Sequence, residues 1–390
     1  MKSLPRKAAG RLAQLLRDFP VVLVVGPRQC GKTTLVRSAC PEWEMLDLER
    51  PSDLAVVSAD VEGFLDAHPR RVAFDEVQRL PGLFPALRSA LDRSAGRGRY
   101  VLTGSASPLL FHGVSESLAG RVGILELTPF LAAEVAGTPL APRRWFWGGF
   151  PPVHARRGNE ARASWLDAYV ATVLERDLPS LGVRLPSTRL RLLCSMLTHV
   201  HGNLLNISDL ARSLGVSPNT VAGDVDVLER TFLVRRLPPY FANVQKRLTK
   251  SPKVYLRDSG LLHFLAGLRE PGDLATWSRR GSSFEGLVVE ELIAQAASAA
   301  IRPEAFFWRT QAGAEVDLLL VHGQRILPFE VKLGAAVDPR SLAGLRQCLS
   351  DLGLRRGFVV TSGDERRSIT PSIELVPWRE IASGRFDLPL

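Results

Sequence analysis

Residues Gly26-Pro-Arg-Gln-Cys-Gly-Lys-Thr-Thr34 follow directly on the apolar run Val21–Val25. Two glycines spaced by four residues, then Lys-Thr, suit a loop that turns its backbone N–H groups toward a polyphosphate. Gly26 and Gly31 supply the bends, and a helix opening at Lys32 points its N-terminal dipole at the same anion. Lys32 can reach the β- and γ-phosphates of ATP, and the Thr33 hydroxyl can hold Mg²⁺. Pro27, Arg28, Gln29, Cys30 and Thr34 complete the nucleotide-binding stretch, with Arg28 suited to a local phosphate or acid partner.

Arg70-Arg-Val-Ala-Phe-Asp-Glu76 reads as a buried strand ending in two acids. Asp75 is placed to share Mg²⁺ with Thr33, and Glu76 to orient and deprotonate an attacking water. Tyr100–Ser105 reads as another central strand, whose Thr103 or Ser105 would face the γ-phosphate at the carboxyl edge of the sheet. Arg121 follows in a Gly-containing loop. Two roles stay open for it: an arginine finger donated to a neighbouring subunit, or a structural cap on the helix before it.

A second constellation lies in Glu315-Val-Asp-Leu-Leu-Leu-Val-His-Gly-Gln-Arg-Ile-Leu-Pro-Phe-Glu-Val-Lys332. With Gly323-Gln324 as a two-residue hairpin loop, His322 pairs with Arg325. Counting outward sets Asp317 opposite Glu330 and Glu315 opposite Lys332. Opposed carboxylates repel unless a cation lies between them, which argues for a divalent metal. The pattern resembles the PD-(D/E)xK nuclease fold, with Val316 where the motif has Pro. That resemblance implies Mg²⁺ bound by Asp317 and Glu330, Glu285 from the preceding helix completing the shell, and Lys332 supporting the attacking water or phosphate. The alternative is a nuclease-like scaffold whose acids are merely salt-bridged to Lys332 and Arg309.

These groups need elements to carry them. Arg6–Phe19 has Leu12, Leu15, Leu16 and Phe19 at helical spacing, and a strand is expected at Glu44–Leu48. Strands alternating with helices imply an α/β fold with a mostly parallel sheet covered on both faces. The loop and Asp-Glu pair resemble an AAA-type ATPase of the additional-strand, catalytic-glutamate class. The resemblance is closer still to a prokaryotic family that joins such an ATPase to a C-terminal domain of unknown function, DUF4143. The hallmarks that carry it are the phosphate loop, Phe74-Asp-Glu-Val-Gln78, Leu102-Thr-Gly-Ser105, Ser117-Leu-Ala-Gly-Arg121 and Gly148-Gly-Phe-Pro151. The expected organisation is an ATPase domain over 1–150, a helical lid and winged-helix connector over 151–250, and a nuclease-like α/β domain over 251–390.

Within the connector, Trp165–Leu178 is helical by period, with Trp165, Tyr169, Val173 and Leu174 inward. Its end, Glu175-Arg-Asp177, resembles the family's acid-Arg-acid lid element, so Arg176 either senses nucleotide or forms a plain ion pair. Ile207–Val221 reads as a helix-turn-helix: Ser208 caps the first helix, Gly215 ends it, and Ser217-Pro218 opens the second. Strands at Leu233–Leu237 and Val254–Leu256 would form a wing. Asp224, Asp226 and Glu229 on the second helix would meet phosphates badly. Arg235, Arg236, Lys246, Arg247 and Lys250 cluster on or near the wing instead, for DNA backbone contact or for protein docking.

The chain has 390 residues and a net charge of +10 with pI near 9.9. That balance favours polyanionic partners, although Arg-rich usage also fits a GC-rich coding background. The four cysteines lack C-x-x-C spacing and suit reduced thiols rather than a zinc site. No stretch has signal-peptide character or approaches the ~20 apolar residues of a membrane span, so a cytoplasmic protein without membrane partners is expected. The functional expectation is an ATP-hydrolysing motor or switch acting on DNA in repair, recombination or branched-DNA processing, assembled as a homo-oligomer. Its rival is an ATP-gated signalling or defence-type switch whose C-terminal domain is an inactive interaction module.

Overall fold

The structure is a computed structural model that describes residues 4–105, 117–180, 186–241, 251–299 and 302–389. The chain divides into two compact units, one built chiefly from residues 4–129 and the other from Phe130–Pro179, Arg184–Glu229 and Leu233–Leu390.

The first unit begins with helix α1 (Ala8–Asp18), strand β1 (Val21–Gly26) and helix α2 (Lys32–Ala39). Strands β2 (Glu44–Asp47) and β3 (Val72–Asp75), helix α3 (Leu83–Arg93), and strands β4 (Tyr100–Ser105) and β5 (Val122–Glu126) follow. All five strands are parallel, in the order β2-β3-β4-β1-β5. Every residue of β1 is buried, as a run without polar alternation requires of a strand covered on both faces. Val21, Leu23 and Val25 pack with Phe74, Leu102 and α3, while Val22 and Val24 pack with α1 and α2. The register sets Gly26 beside Ser105, Val24 beside Thr103 and Asp47 beside Asp75. The polar ends of the central strands therefore share one edge of the sheet.

In the second unit, helix α4 (Asn159–Ala171) passes into a π-helical turn, Thr172–Asp177, rather than running on as one α-helix. Trp165, Tyr169, Val173 and Leu174 do point inward. The short strand β6 (Asn203–Leu204) precedes helices α5 (Ile207–Leu214) and α6 (Pro218–Arg230), which make the helix-turn-helix. Asn206, not Ser208, is the cap: its side chain accepts the N–H groups of Ser208 and Asp209, while Gly215 closes α5 in the left-handed conformation. Strands β7 (Val234–Leu237) and β8 (Lys253–Leu256) pair antiparallel beside β6.

Helix α7 (Ser259–Leu265) and the long helix α8 (Arg280–Ser298) lead to a mixed six-stranded sheet. Its strands are β9 (Glu304–Arg309), β10 (Glu315–His322), β11 (Arg325–Lys332), β12 (Gly357–Thr361), β13 (Arg367–Thr370) and β14 (Ile373–Pro377). Helix α8 packs on one face of this sheet, and helix α9 (Ala343–Asp351) covers the other. The hairpin turns at Gly323-Gln324 with His322 opposite Arg325, the register counted from the sequence.

The Gly148-Gly-Phe-Pro151 motif is structural. A Cβ on Gly148, whose φ is +73°, would lie 2.0 Å from Asp258 Oδ1. Asp258 Oδ2 accepts the Gly149 N–H at 2.7 Å, and Oδ1 accepts the Leu261 N–H at 3.0 Å as the cap of α7. Asp258→Ala removes a helix cap and strands a buried N–H, so it should destabilise this unit by about 2–4 kcal/mol. Urea unfolding followed by tryptophan fluorescence reads the effect; an unchanged midpoint would show that the motif does not depend on Asp258.

Candidate functional site

The phosphate loop is a close-packed turn between β1 and α2. A Cβ on Gly26 would lie 2.2 Å from the Leu127 carbonyl, and Gly31 caps α2 at φ +102°. Gln29 is left-handed at φ 59° without being glycine, a sparsely populated conformation of the kind that clusters at ligand sites. Lys32 is buried, and its Nζ donates to the carbonyls of Gly26 (3.1 Å) and Pro27 (3.2 Å). Thr34 is exposed on the first turn of α2, and Cys30 is buried, its thiol pushed up chiefly by that burial. Arg28 pairs with Glu49 at 2.7 Å, the acid-partner role rather than catalysis.

The Thr33 hydroxyl donates to Asp75 Oδ2 at 2.7 Å, and the Thr103 hydroxyl donates to Asp75 Oδ1. The three residues expected around Mg²⁺ and the γ-phosphate thus meet at the carboxyl edge of the sheet. The side chain of Ser105 lies outside the described residues. Glu76, one residue beyond β3, is left-handed at φ 54°, and its Oε2 accepts from Gln78 Nε2 at 2.5 Å. Gln78 was not singled out from sequence as a site residue; it holds the carboxylate expected to act as the base. Arg121 stands immediately before β5, at the opposite edge of the sheet, and pairs with Asp92 of α3 at 2.6 Å. Five residues of β5 correspond to roughly 17 Å of strand. Arg121 therefore does not serve the phosphate loop of its own chain.

The acid cluster departs from expectation. The β10–β11 pairs end at Leu318 opposite Phe329, and β10 changes register against β9 between Val316 and Leu319. Asp317 thus lies one residue beyond the paired register with β11, and its Oδ2 accepts the Val331 N–H at 2.9 Å. The cation beside it is Lys253, the first residue of β8. Its buried Nζ lies 3.0 Å from Glu285 Oε1, 3.0 Å from Asp317 Oδ1 and 2.5 Å from Glu315 Oε1. Tyr255, next but one on the same strand, donates its hydroxyl to Glu285 at 2.6 Å. Lys332 pairs with Glu330 at 2.6 Å and Arg309 with Glu315 at 2.7 Å, both pairs of the scaffold alternative.

Burial, then repulsion from Asp317, pushes Glu285 up to about 7 and Glu330 up to about 8, with the neighbouring lysines opposing both. Burial works against charge on Lys253, yet Glu285 above all holds its proton well above the ordinary lysine range. A resident divalent metal does not fit this arrangement, because the Lys253 ammonium already takes one oxygen each of Glu285 and Asp317, and Glu330 Oε1 is paired with Lys332. Among the described residues no group of three or more His, Cys, Asp or Glu is arranged to hold a metal ion. The metal-ligand expectation for Glu285, Asp317 and Glu330 is corrected accordingly.

The described wing arginines are spent internally too. Arg235 and Arg257 both bind the buried carboxylate of Glu290, whose charge burial opposes but which Arg235 and Arg257 hold down to about 2. Arg236 pairs with Glu229 and Asp226, and Asp224 is buried against Arg189 at 2.9 Å. Asp224 therefore would not face phosphates. Lys246, Arg247 and Lys250 lie outside the described residues.

The family model of an AAA domain matches residues 18–136. Two domains of unknown function match beyond it, DUF8612 over 139–272 and DUF4143 over 280–381. The uncharacterized proteins Mb2031c of Mycobacterium bovis and Rv2008c of Mycobacterium tuberculosis are each 42% identical over 386 residues, covering 98% of this chain and 86% of theirs. The chain belongs to the AAA ATPase family that carries DUF4143 at its C-terminus. Among solved structures, it is similar to the Walker-type ATPase paby2304 of Pyrococcus abyssi, with 15% identity and a TM-score of 0.46 over 67% of this chain and 95% of that one. It is also similar to the signal-transduction ATPase PH0952 of Pyrococcus horikoshii, with 13% identity and a TM-score of 0.29 over 74% and 45%.

In this AAA ATPase the phosphate loop fits a nucleotide: its glycines stand where side chains would clash or strain, and a buried lysine lies beneath it. Thr33 and Asp75 are the residues that would hold Mg²⁺, which supplies charge neutralisation to the phosphates when bound. Lys32→Ala should abolish ATP binding, while Glu76→Gln should keep it and lower turnover by about 10²–10⁴, since an amide cannot serve as base. Fluorescent-nucleotide titration and phosphate release separate the two; tight ATP binding by the Lys32 variant would refute the assignment.

Glu330 gives a pH signature. The folded state keeps its proton up to about pH 8, whereas an ordinary glutamate loses it near 4.5. Its contribution to stability is therefore fullest below pH 4.5 and fades as pH rises toward 8. Glu330→Gln should gain in melting temperature relative to wild type between about pH 5 and pH 8.5. A constant difference across that range would contradict it.

Proposed function

We propose that this ATPase is a nucleotide-gated switch in the cytoplasm that turns over as a homo-oligomer and whose C-terminal domain is a non-cutting interaction module. The observation that carries the reading is the internal neutralisation, among the described residues, of groups expected to act on DNA. Lys253 stands among the acids of the nuclease-like cluster, and Arg235 and Arg236 are tied to Glu290, Glu229 and Asp226. The place of Arg121 supports the oligomer: it lies at the sheet edge away from its own phosphate loop, in an exposed ion pair with Asp92 that it would have to leave to complete a neighbour's site.

A second reading, an ATP-driven motor acting on DNA, draws on the helix-turn-helix with its strand pair and on the net charge of +10. ATPase rates with and without single-stranded, duplex and branched DNA decide between them. The switch reading expects no stimulation by any DNA and an ATP-dependent change in oligomer size; several-fold stimulation would replace it with the motor.

Arg121→Ala should leave ATP affinity nearly intact and lower turnover by about 10³ if the residue is a finger. Mixing that variant with Lys32→Ala should partly restore hydrolysis, because mixed interfaces join an intact loop to an intact Arg121. Unchanged turnover in the single variant would return Arg121 to its ion pair with Asp92.

A further inference from the structure

Lys253 begins a strand of the three-stranded sheet beside the helix-turn-helix, yet its ammonium is delivered into the acid cluster of the six-stranded sheet. Its stem passes Phe307, with Nζ 5.9 Å from the ring centroid, and the side chain is almost fully buried. A lysine ammonium has three N–H donors. Here it meets three different carboxylates, Glu285 from α8 and Glu315 and Asp317 from β10, so its donors are all accounted for.

We propose that Lys253 is a built-in replacement for a divalent cation: it makes the C-terminal domain metal-independent and masks a latent metal site formed by Glu285, Glu315 and Asp317. The argument is one of competition for the same atoms. A Mg²⁺ ion demands oxygen ligands at about 2.0–2.1 Å, and one that used Glu285, Glu315 and Asp317 would compete with Lys253 for an oxygen of each. Removing one partner from a buried ion cluster leaves charge uncompensated, so loss of the ammonium creates demand for another cation. A methionine at this position keeps the length and apolar stem of lysine while removing its charge. The idea rests on the non-cutting reading of this domain, but its test is independent of DNA and of ATP turnover.

The experiment uses the full chain without nucleotide and follows Mn²⁺ binding by the loss of the free-ion electron paramagnetic resonance signal, with melting curves in parallel. Wild type should show neither Asp317-dependent Mn²⁺ binding nor a Mn²⁺-dependent melting shift in this unit. Lys253→Met should melt lower in chelator, bind Mn²⁺, and regain about 3–6 °C when the metal is in tenfold excess over its Kd. The double variant Lys253→Met with Asp317→Asn should lose that response. If Lys253→Met is recovered unfolded, refolding it in Mn²⁺ and in chelator reads the same proposal: recovery only with metal supports it, and recovery in neither overturns it. Asp317-dependent Mn²⁺ binding by wild type, or a folded Lys253→Met that ignores Mn²⁺, would also overturn it.

Discussion

A charge taken out of water needs a partner, and this requirement governs both units of the chain. In the first, Asp75 is buried at the end of β3 and is met by the hydroxyls of Thr33 and Thr103. Those contacts hold three separate segments, the start of α2 and the ends of β3 and β4, at one edge of the sheet. The nucleotide site is thus a consequence of parallel register combined with one buried carboxylate. A buried lysine directed at the loop carbonyls sets its floor.

The second unit meets the same demand with its own cations. Glu290 takes two guanidinium groups, Asp224 takes Arg189, and Lys253 serves three acids. Such buried pairs add little net stability against apolar packing, but breaking one is costly. The pairs of Glu290 and Lys253 tie the strands beside the helix-turn-helix to α8 and β10. Charges consumed in this way are not available to grip a nucleic acid or to hold a metal. The residues arranged around a nucleotide, Lys32, Thr33 and Asp75, are those of the ATPase unit.

The legible parts of this protein were those encoded in contiguous residues. Gly26–Thr34 specifies its loop locally, because glycine positions, an apolar strand before it and a helix after it are all neighbours in the chain. The hairpin register followed from a two-residue turn and a period of two, and it held from His322 as far as Leu318. Beyond that point the pairing with β11 stops, and β10 changes register against β9, a strand whose pairing no local pattern announces. Ser208 and Asn206 were both plausible caps within two residues; only the backbone geometry chose Asn206.

Sequence alone therefore determined the phosphate loop, its two acids, the helix-turn-helix and the α/β class, because propensity, periodicity and turn chemistry act over a few residues. Tertiary structure alone decided which charges are spent on each other. Lys253 binds acids 32 and 64 residues away, and Arg235 reaches Glu290 across 55. No spacing rule links such positions, and a lysine before Val-Tyr-Leu looks like any strand start. Only when β8 is laid beside the C-terminal sheet does its buried ammonium become the counter-charge of Glu285, Glu315 and Asp317.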